Sequence, residues 1–335
     1  MQVTVGTLTA IGETLDLLVR ADITGRGVVG PMYQAARRDG EGPLSAAAAQ
    51  ALADVCVPGS RVLILTGWPS RSWLFGDLTE TDGPPGAALL ARVFEEALGV
   101  VPVVGCLPDL VEHVRICLRG AGLIVGSLAQ ALDSKPGPPS ASVGAAVPLP
   151  SHQAAAAELF RAVDPVAVIA IEMPGPGSDG FCHTVTGRPI PPERTPRGDL
   201  VFQLARDRGV LTVGIGDGGN ELGMGRLRPL LASAIPHGDR TVCAVPADRE
   251  IVASISNWGG QALGAALLAA SGRTDVFDRI DVERIVRMSS DAGAIDGLTS
   301  RVDPMVDGTP ACMSQALWRM MALAVASGLG GWAKG

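Results

Sequence analysis

Two carboxylates and an amide fall close together in one glycine-rich loop, Ile215-Gly216-Asp217-Gly218-Gly219-Asn220-Glu221-Leu222-Gly223-Met224-Gly225. Glycines allow a backbone to approach a ligand closely, but a plain turn has no use for Asp217, Asn220 and Glu221 together. Their oxygens could bind a hard divalent ion such as Mg2+ or Mn2+, with Asp217 and Glu221 as the ligands. In the blander alternative they hydrogen-bond their own loop. Gly214–Gly219 also satisfies GxGxxG, yet Asp217 and Glu221 would confront a pyrophosphate with like charge. Gly223, Gly225 and Pro229 deny the clean helix start that a dinucleotide site needs, so NAD is not expected.

A second acidic stretch is Glu80-Thr81-Asp82-Gly83-Pro84-Pro85-Gly86-Ala87, which opens a helical segment running to Leu98. Pro85 suits a first helical turn. Asp82 could cap that helix, or the free N–H groups at Gly83 and Gly86 could hold a carboxylate or phosphate. A third stretch, Glu172-Met173-Pro174-Gly175-Pro176-Gly177-Ser178-Asp179-Gly180, follows an apolar run, with His183 just beyond. An acid at the tip of a buried strand has its pKa raised toward usefulness in proton transfer. His183 reads equally as structural or catalytic. Ser256 and Asn257 either cap the helix Gln261–Ala270 or face a ligand, while the Asp296 and Asp307 segments read as DG turns. No GxSxG and no cysteine beside a base supports a nucleophile triad.

The elements that must position these groups are short Val/Ile/Leu runs between Ala-rich helical stretches. Arg61–Thr66, Val100–Gly105, Gly122–Val125, Val166–Ile171, Val210–Ile215 and Arg240–Val245 fit buried strands, which lack alternation because both faces are covered. Helices are expected over Gly86–Leu98, Leu110–Arg119, His152–Val163 and Asp199–Arg208. This alternation predicts an α/β fold with a doubly wound, mostly parallel sheet and helices on both faces. The chain is read as one domain over residues 1–335, with Ser134–Pro150, rich in proline, a loop or a linker between two lobes. In such sheets ligands bind beyond the carboxyl ends of the strands, where the acidic stretches fall.

Hydrophobic residues make up 47% and charged residues 18% of the 335, which describes a globular chain. A net charge of −7 with dispersed Lys and Arg excludes the basic patch of a nucleic-acid or anionic-membrane binder. No apolar run reaches spanning length, and no basic-then-apolar leader opens the chain. Six unpaired-looking cysteines fit reduced thiols in a cytoplasmic protein. A small-molecule substrate is the expected partner, and a homo-oligomer is compatible with the composition.

Taken in order, DITGRG (Asp22–Gly27), Thr66-Gly67, ETDGPPGA (Glu80–Ala87), Glu172–His183, IGDGGNELGMG, SNWGG (Ser256–Gly260) and the DGLT…VDGT pair (Asp296–Thr309) resemble the D-glutamate cyclase-like family. The resemblance covers nearly the whole chain. One residue departs from it: Met173 stands where many bacterial members carry a basic residue. The resemblance implies cyclisation of D-glutamate to 5-oxo-D-proline with loss of water, and its reversal, by a hydro-lyase. For that chemistry we expect Asp217 and Glu221 at a metal or the substrate ammonium, Glu172 in proton transfer, and the Asp82–Gly86 helix start at the α-carboxylate. Asn220 and Asn257 would steady the oxyanion. Thr66, Gly67, Glu80, Thr81, Asp179, His183, Gly218, Gly219 and Asp296 complete the expected substrate contacts. Rival readings are a magnesium-dependent hydrolase or transferase of a phosphorylated metabolite, and a non-catalytic amino-acid-binding protein.

Overall fold

A computed structural model of the chain describes residues 3–37, 41–71, 73–75, 78–135 and 143–330. Seven strands form one sheet: β1 (Arg61–Thr66), β2 (Val101–Cys106), β3 (Ile124–Gly126), β4 (Val143–Pro148), β5 (Ala167–Ile171), β6 (Leu211–Gly216) and β7 (Arg249–Val252). Their order is β3-β4-β2-β1-β5-β6-β7, and every pairing is parallel. The fold is α/β, as expected.

Successive strand residues supply opposite layers. Val62, Ile64, Ile169 and Ile171 pack into a large core with the helices Val5–Val19, Leu44–Val55, Pro84–Leu98, Ser256–Ser271 and Ala311–Gly328. Leu63, Leu65, Val168 and Ala170 face the helices Gln153–Val163 and Gly198–Asp207. Covered on both sides, these strands can be apolar throughout, which is why they read as continuous hydrophobic runs.

Three expectations are corrected. Arg240–Val245 is not a strand: a short helical turn, Gly238–Thr241, leads into a segment outside the sheet. Its backbone serves the functional loops, since Cys243 N donates to Gly219 O and Ala244 N to Pro176 O. Its apolar side chains are buried behind those loops, and the sheet strand is Arg249–Val252. The run near Gly122 does form a strand, but at the sheet edge, where Ile124 is 56% exposed. Within Ser134–Pro150, Val143–Pro148 forms β4, inserted between β3 and β2. Small residues with proline disguised it as a loop; residues 136–142 lie outside the described chain.

β1 is followed by β2 on one side, whereas β5, on its other side, is followed by β6 beyond it. Loops leaving the ends of β1 and β5 therefore diverge, and a crevice opens between them at their carboxyl ends.

Candidate active site

The crevice is a cleft of about 380 Å³, at the lower end of small-molecule sites. Glu172 enters it from the end of β5, Asp217, Asn220 and Glu221 from the loop after β6, and Glu80 from the segment after β1. Arg26, Arg71 and Asp307 complete its charged wall. Carboxylate oxygens of Glu172, Asp217 and Glu221 all lie within 4.8 Å of one another, as do those of Asp82, Asp217 and Asp307. Acids from distant parts of the sequence thus meet around one cleft.

Two helix starts are locked together behind this cleft. Asn257, in the first turn of Ser256–Ser271, accepts from Gly83 N (2.9 Å) and Gly86 N (2.8 Å) through Oδ1. Its Nδ2 donates to Thr81 O at 2.8 Å. Asp82 returns the favour, accepting from Ser256 N (2.9 Å) and Asn257 N (2.7 Å). Each helix is capped by a side chain from the segment that begins the other, which satisfies orphan N–H groups of both. Glycine is required at both crossing points. A Cβ at Gly86 would lie 2.6 Å from Asn257 Oδ1, and Gly83 has φ +99° with a Cβ position 2.9 Å from Glu172 Cβ.

This arrangement already engages several of the expected groups. SNWGG is not a loop before a helix but its first turn. Asp82 accepts from the start of the distant helix as well as from Gly83 N at 3.1 Å. The Gly83 and Gly86 N–H groups are occupied, so this helix start does not offer an anion site, and Asn257 spends one of its two amide N–H donors on Thr81 O. Asn220 Nδ2 donates one of its two N–H groups to His183 O at 2.8 Å, leaving a buried Oδ1 without a hydrogen-bond partner. Gly218 N and Gly219 N both donate to Glu221 at 2.8 Å, tying it to its own loop. Asp296 is engaged likewise by Thr299 N and Gly308 N. Thr81 N and Oγ1 face Ile295 O. Asp179 is half-exposed, pairs with the His183 ring at 3.3 Å and does not line the cleft. Thr66 is buried with Oγ1 unpartnered beside Gly83, and Gly67 has φ +106° at the turn out of β1.

Glu172 carries the clearest signs of function. Its backbone adopts φ +44°, a conformation that non-glycine residues hold only where surroundings enforce it. Ser256 Oγ donates to its Oε2 at 2.6 Å. Burial, and then the charges of Asp217, Glu221 and Asp82, push its carboxyl pKa well up. Burial and the Asp217 charge likewise raise Glu221 to about 7, and burial raises Glu80 to about 7 despite a hydrogen bond from Ser70. Asp307, at φ +46°, and Asp82 are raised for the same reasons. Arg26 is the counter-ion: its Nη2 lies 2.7 Å from Asp217 Oδ2 and 3.8 Å from Asp307 Oδ2, and donates to Ser254 O. A set of carboxyls kept partly protonated around one fixed cation can both accept and return protons near neutral pH.

Arg26, Arg71, Asp307 and Ser256 were missed as site residues. Arg26 lies inside the recognised DITGRG stretch, and Asp307 inside VDGT, so both carried a sequence signal. Arg71 had none. Met173, the departing position, is fully buried in the apolar layer with Leu222 and Val201, and so points away from the cleft.

Residues 15–321 match the D-glutamate cyclase-like, C-terminal family. The chain belongs to that family. It is similar to the human protein D-glutamate cyclase, mitochondrial, with 33% identity over 219 residues, covering 62% of this chain and 32% of the relative. The chain thus matches about a third of the length of that relative. Among the described residues no helix is long and apolar enough to cross a membrane.

Proposed function

We propose that this family member is a lyase that closes D-glutamate to 5-oxo-D-proline with loss of water, and opens it again. The observation that carries the reading is the convergence of Glu172, Asp217 and Glu221 at the divergence of the loops from β1 and β5. The name of the human relative points to the same reaction.

In the forward direction the substrate ammonium loses a proton and its nitrogen attacks the γ-carboxyl carbon. A C–N bond forms, a C–O bond breaks, and the departing oxygen leaves as water with the two protons shed by nitrogen. Because both reacting groups belong to one molecule, holding it folded lowers much of the barrier. Asp217, kept in place by Arg26, faces the ammonium. Asn220 Oδ1, with no other partner, accepts an N–H of the substrate nitrogen. Glu172, with its raised pKa and its Oε2 fixed by Ser256, takes the proton from nitrogen and passes it to the leaving oxygen.

The all-oxygen donor set suits a hard divalent cation, Mg2+ or Mn2+, and the unpartnered Asn220 Oδ1 beside it fits that group. Asp217 and Glu221 would hold it in place of the ammonium contact, Glu172 would keep its proton-transfer role, and the cation would neutralise charge on the γ-carboxylate.

The test is incubation of purified protein with D- and L-glutamate and both 5-oxoprolines, with divalent metal and with chelator, read by chiral chromatography. Interconversion of the D pair, reduced at least about 100-fold in Glu172→Gln, the group on the transferring proton, and about 10-fold or more in Asp217→Asn, which loses its charge toward the ammonium, is the expected result. Conversion of neither pair, or an Asp217→Asn variant with unchanged turnover, refutes it. Saturable D-glutamate binding without turnover would leave an amino-acid-binding protein.

A further inference from the structure

We infer that Arg71 anchors the carboxylate of the substrate that does not react, the α-carboxylate of a free α-amino dicarboxylic acid, and so selects against substrates amidated there. The inference rests on the cyclase reading of the cleft. It is needed because the helix start at Gly83–Gly86, the obvious anion site, is filled by Asn257.

Two guanidiniums line the cleft, and their situations differ. Arg26 is paired with Asp217 and Asp307 and donates to Ser254 O. Its charge is already matched by the carboxylates it holds. Arg71 has no carboxylate within ion-pair distance among the described residues. Its Nη2 donates instead to neutral acceptors, Gly297 O at 3.1 Å and Ser300 Oγ, and its Nη1 stands 3.5 Å from Ser70 Oγ. Neutral partners fix the direction of the guanidinium fork, and the acid that feels its charge, Glu80, lies beyond ion-pair distance with its own pKa raised to about 7 by burial. That is the state of an arginine made ready for a carboxylate, which it can bind through two parallel N–H bonds.

The backbone adds an independent sign. Arg71 has φ +48°, uncommon for a side-chain-bearing residue. The strain persists because neighbours hold it, and here it turns the side chain onto the cleft wall that it shares with Glu80 and Gly297. Five carboxylates line the same cleft: Glu80, Glu172, Asp217, Glu221 and Asp307. An anionic group entering among them is repelled everywhere except near a cation that is not already ion-paired. The nitrogen of an amino acid is drawn toward the acids and its spectator carboxylate toward Arg71, which sets the orientation of the chain between them.

The experiment compares D-glutamate with its α-amide, D-isoglutamine, which keeps the amine and the γ-carboxyl but lacks the α charge. Wild type should prefer D-glutamate by about 10- to 100-fold in kcat/KM, the span of one charge-assisted pair. In Arg71→Ala the KM for D-glutamate rises, kcat stays within a few-fold, and the preference collapses to near unity. Arg71→Lys restores part of it. Persistence of the full preference in Arg71→Ala overturns the inference. Ser300→Ala removes a partner of Arg71 but not its charge, and should keep the preference; collapse there would show a loosened loop instead of a lost anchor. Should wild type show no turnover, the cyclase reading fails on its own. Calorimetric titration of the two ligands into wild type and Arg71→Ala then still reads the anchor, and equal affinity of wild type for both ligands overturns it.

Discussion

Removing the Asn257 side chain tests the mutual capping on which the site is built. Asn257→Ala deletes three hydrogen bonds, to Gly83 N, Gly86 N and Thr81 O, all between buried groups. Each N–H left without a partner in a dry site costs about 1–3 kcal/mol, and a lost helix cap about 1 kcal/mol of the same total. Gly83 N keeps Asp82 Oδ1 at 3.1 Å, so counting Gly86 N and the stranded Thr81 carbonyl gives about 2–4 kcal/mol, a large share of the roughly 5–15 kcal/mol that holds a domain folded. With a urea slope near 3 kcal/mol/M for a chain of this size, the midpoint should fall by about 0.7–1.3 M. Urea titration followed by circular dichroism and tryptophan fluorescence measures it. Asn257→Asp keeps the acceptor but can donate to Thr81 O only when protonated, so its deficit should shrink as pH falls. Activity should drop in both variants, because Ser256, the adjacent residue, holds Glu172. A midpoint shift below about 0.3 M for Asn257→Ala would refute the idea that this exchange positions the two helices.

Two further outcomes follow from buried groups outside the cleft. His113, packed against Ser289 Oγ, has its pKa lowered to about 4 by burial, from an ordinary value of 6.5. The unfolded chain therefore binds the extra proton first, and stability that is complete above pH 6.5 is lost as pH falls toward 4. Discounted for partial exposure, the loss is about 2 kcal/mol, and chemical denaturation at pH 7 and 4.5 should show it in wild type but not in His113→Asn. Met173→Lys should not add a substrate grip. It forces an ammonium into the apolar layer around Leu222 and Val201, and should cost about 3–5 kcal/mol in denaturant midpoints. A stable variant with lower KM for D-glutamate would contradict the placement of that side chain.

What could be read in the sequence follows from what is local. The ends of β1, β5 and β6 were legible because a parallel strand covered on both faces is one apolar run, and the acids at its tip break that run abruptly. Val143–Pro148 was not, because its small residues differ little from the proline-rich stretch before it. Val242 and Cys243 looked like strand because burial alone makes a run apolar, and here they are buried against functional loops. The capping exchange was invisible for a stronger reason. Asp82 and Asn257 are each ordinary caps for a neighbouring helix, and only tertiary structure exchanges their clients. Arg71 carried no motif at all; its significance lies in the absence of a carboxylate partner, which no linear pattern records.

The exchanged caps also bear on which ligands the cleft favours. A helix N-terminus attracts anions through its exposed N–H groups and its dipole. Both helix starts beside this cleft are already filled, one by the Asn257 amide and one by the Asp82 carboxylate. What remains facing the ligand is a wall of carboxyls with Arg26 ion-paired to Asp217 and Arg71 outside ion-pair distance of any carboxylate among the described residues. A phosphate monoester, carrying close to two negative charges, would meet repulsion from Asp217, Glu172 and Glu221 with neither helix start free to receive it. An amino acid brings an ammonium for the acids and a single spectator carboxylate for Arg71, so its charges complement those of the cleft group by group. That complementarity favours the amino-acid cyclase reading over a phosphorylated-metabolite enzyme, and it is reversible by design: Glu172→Gln with Asp217→Asn should weaken binding of D-glutamate while leaving, or improving, retention of inorganic phosphate. Calorimetry with both ligands measures the difference, and tighter D-glutamate binding in the double variant would contradict the charge argument.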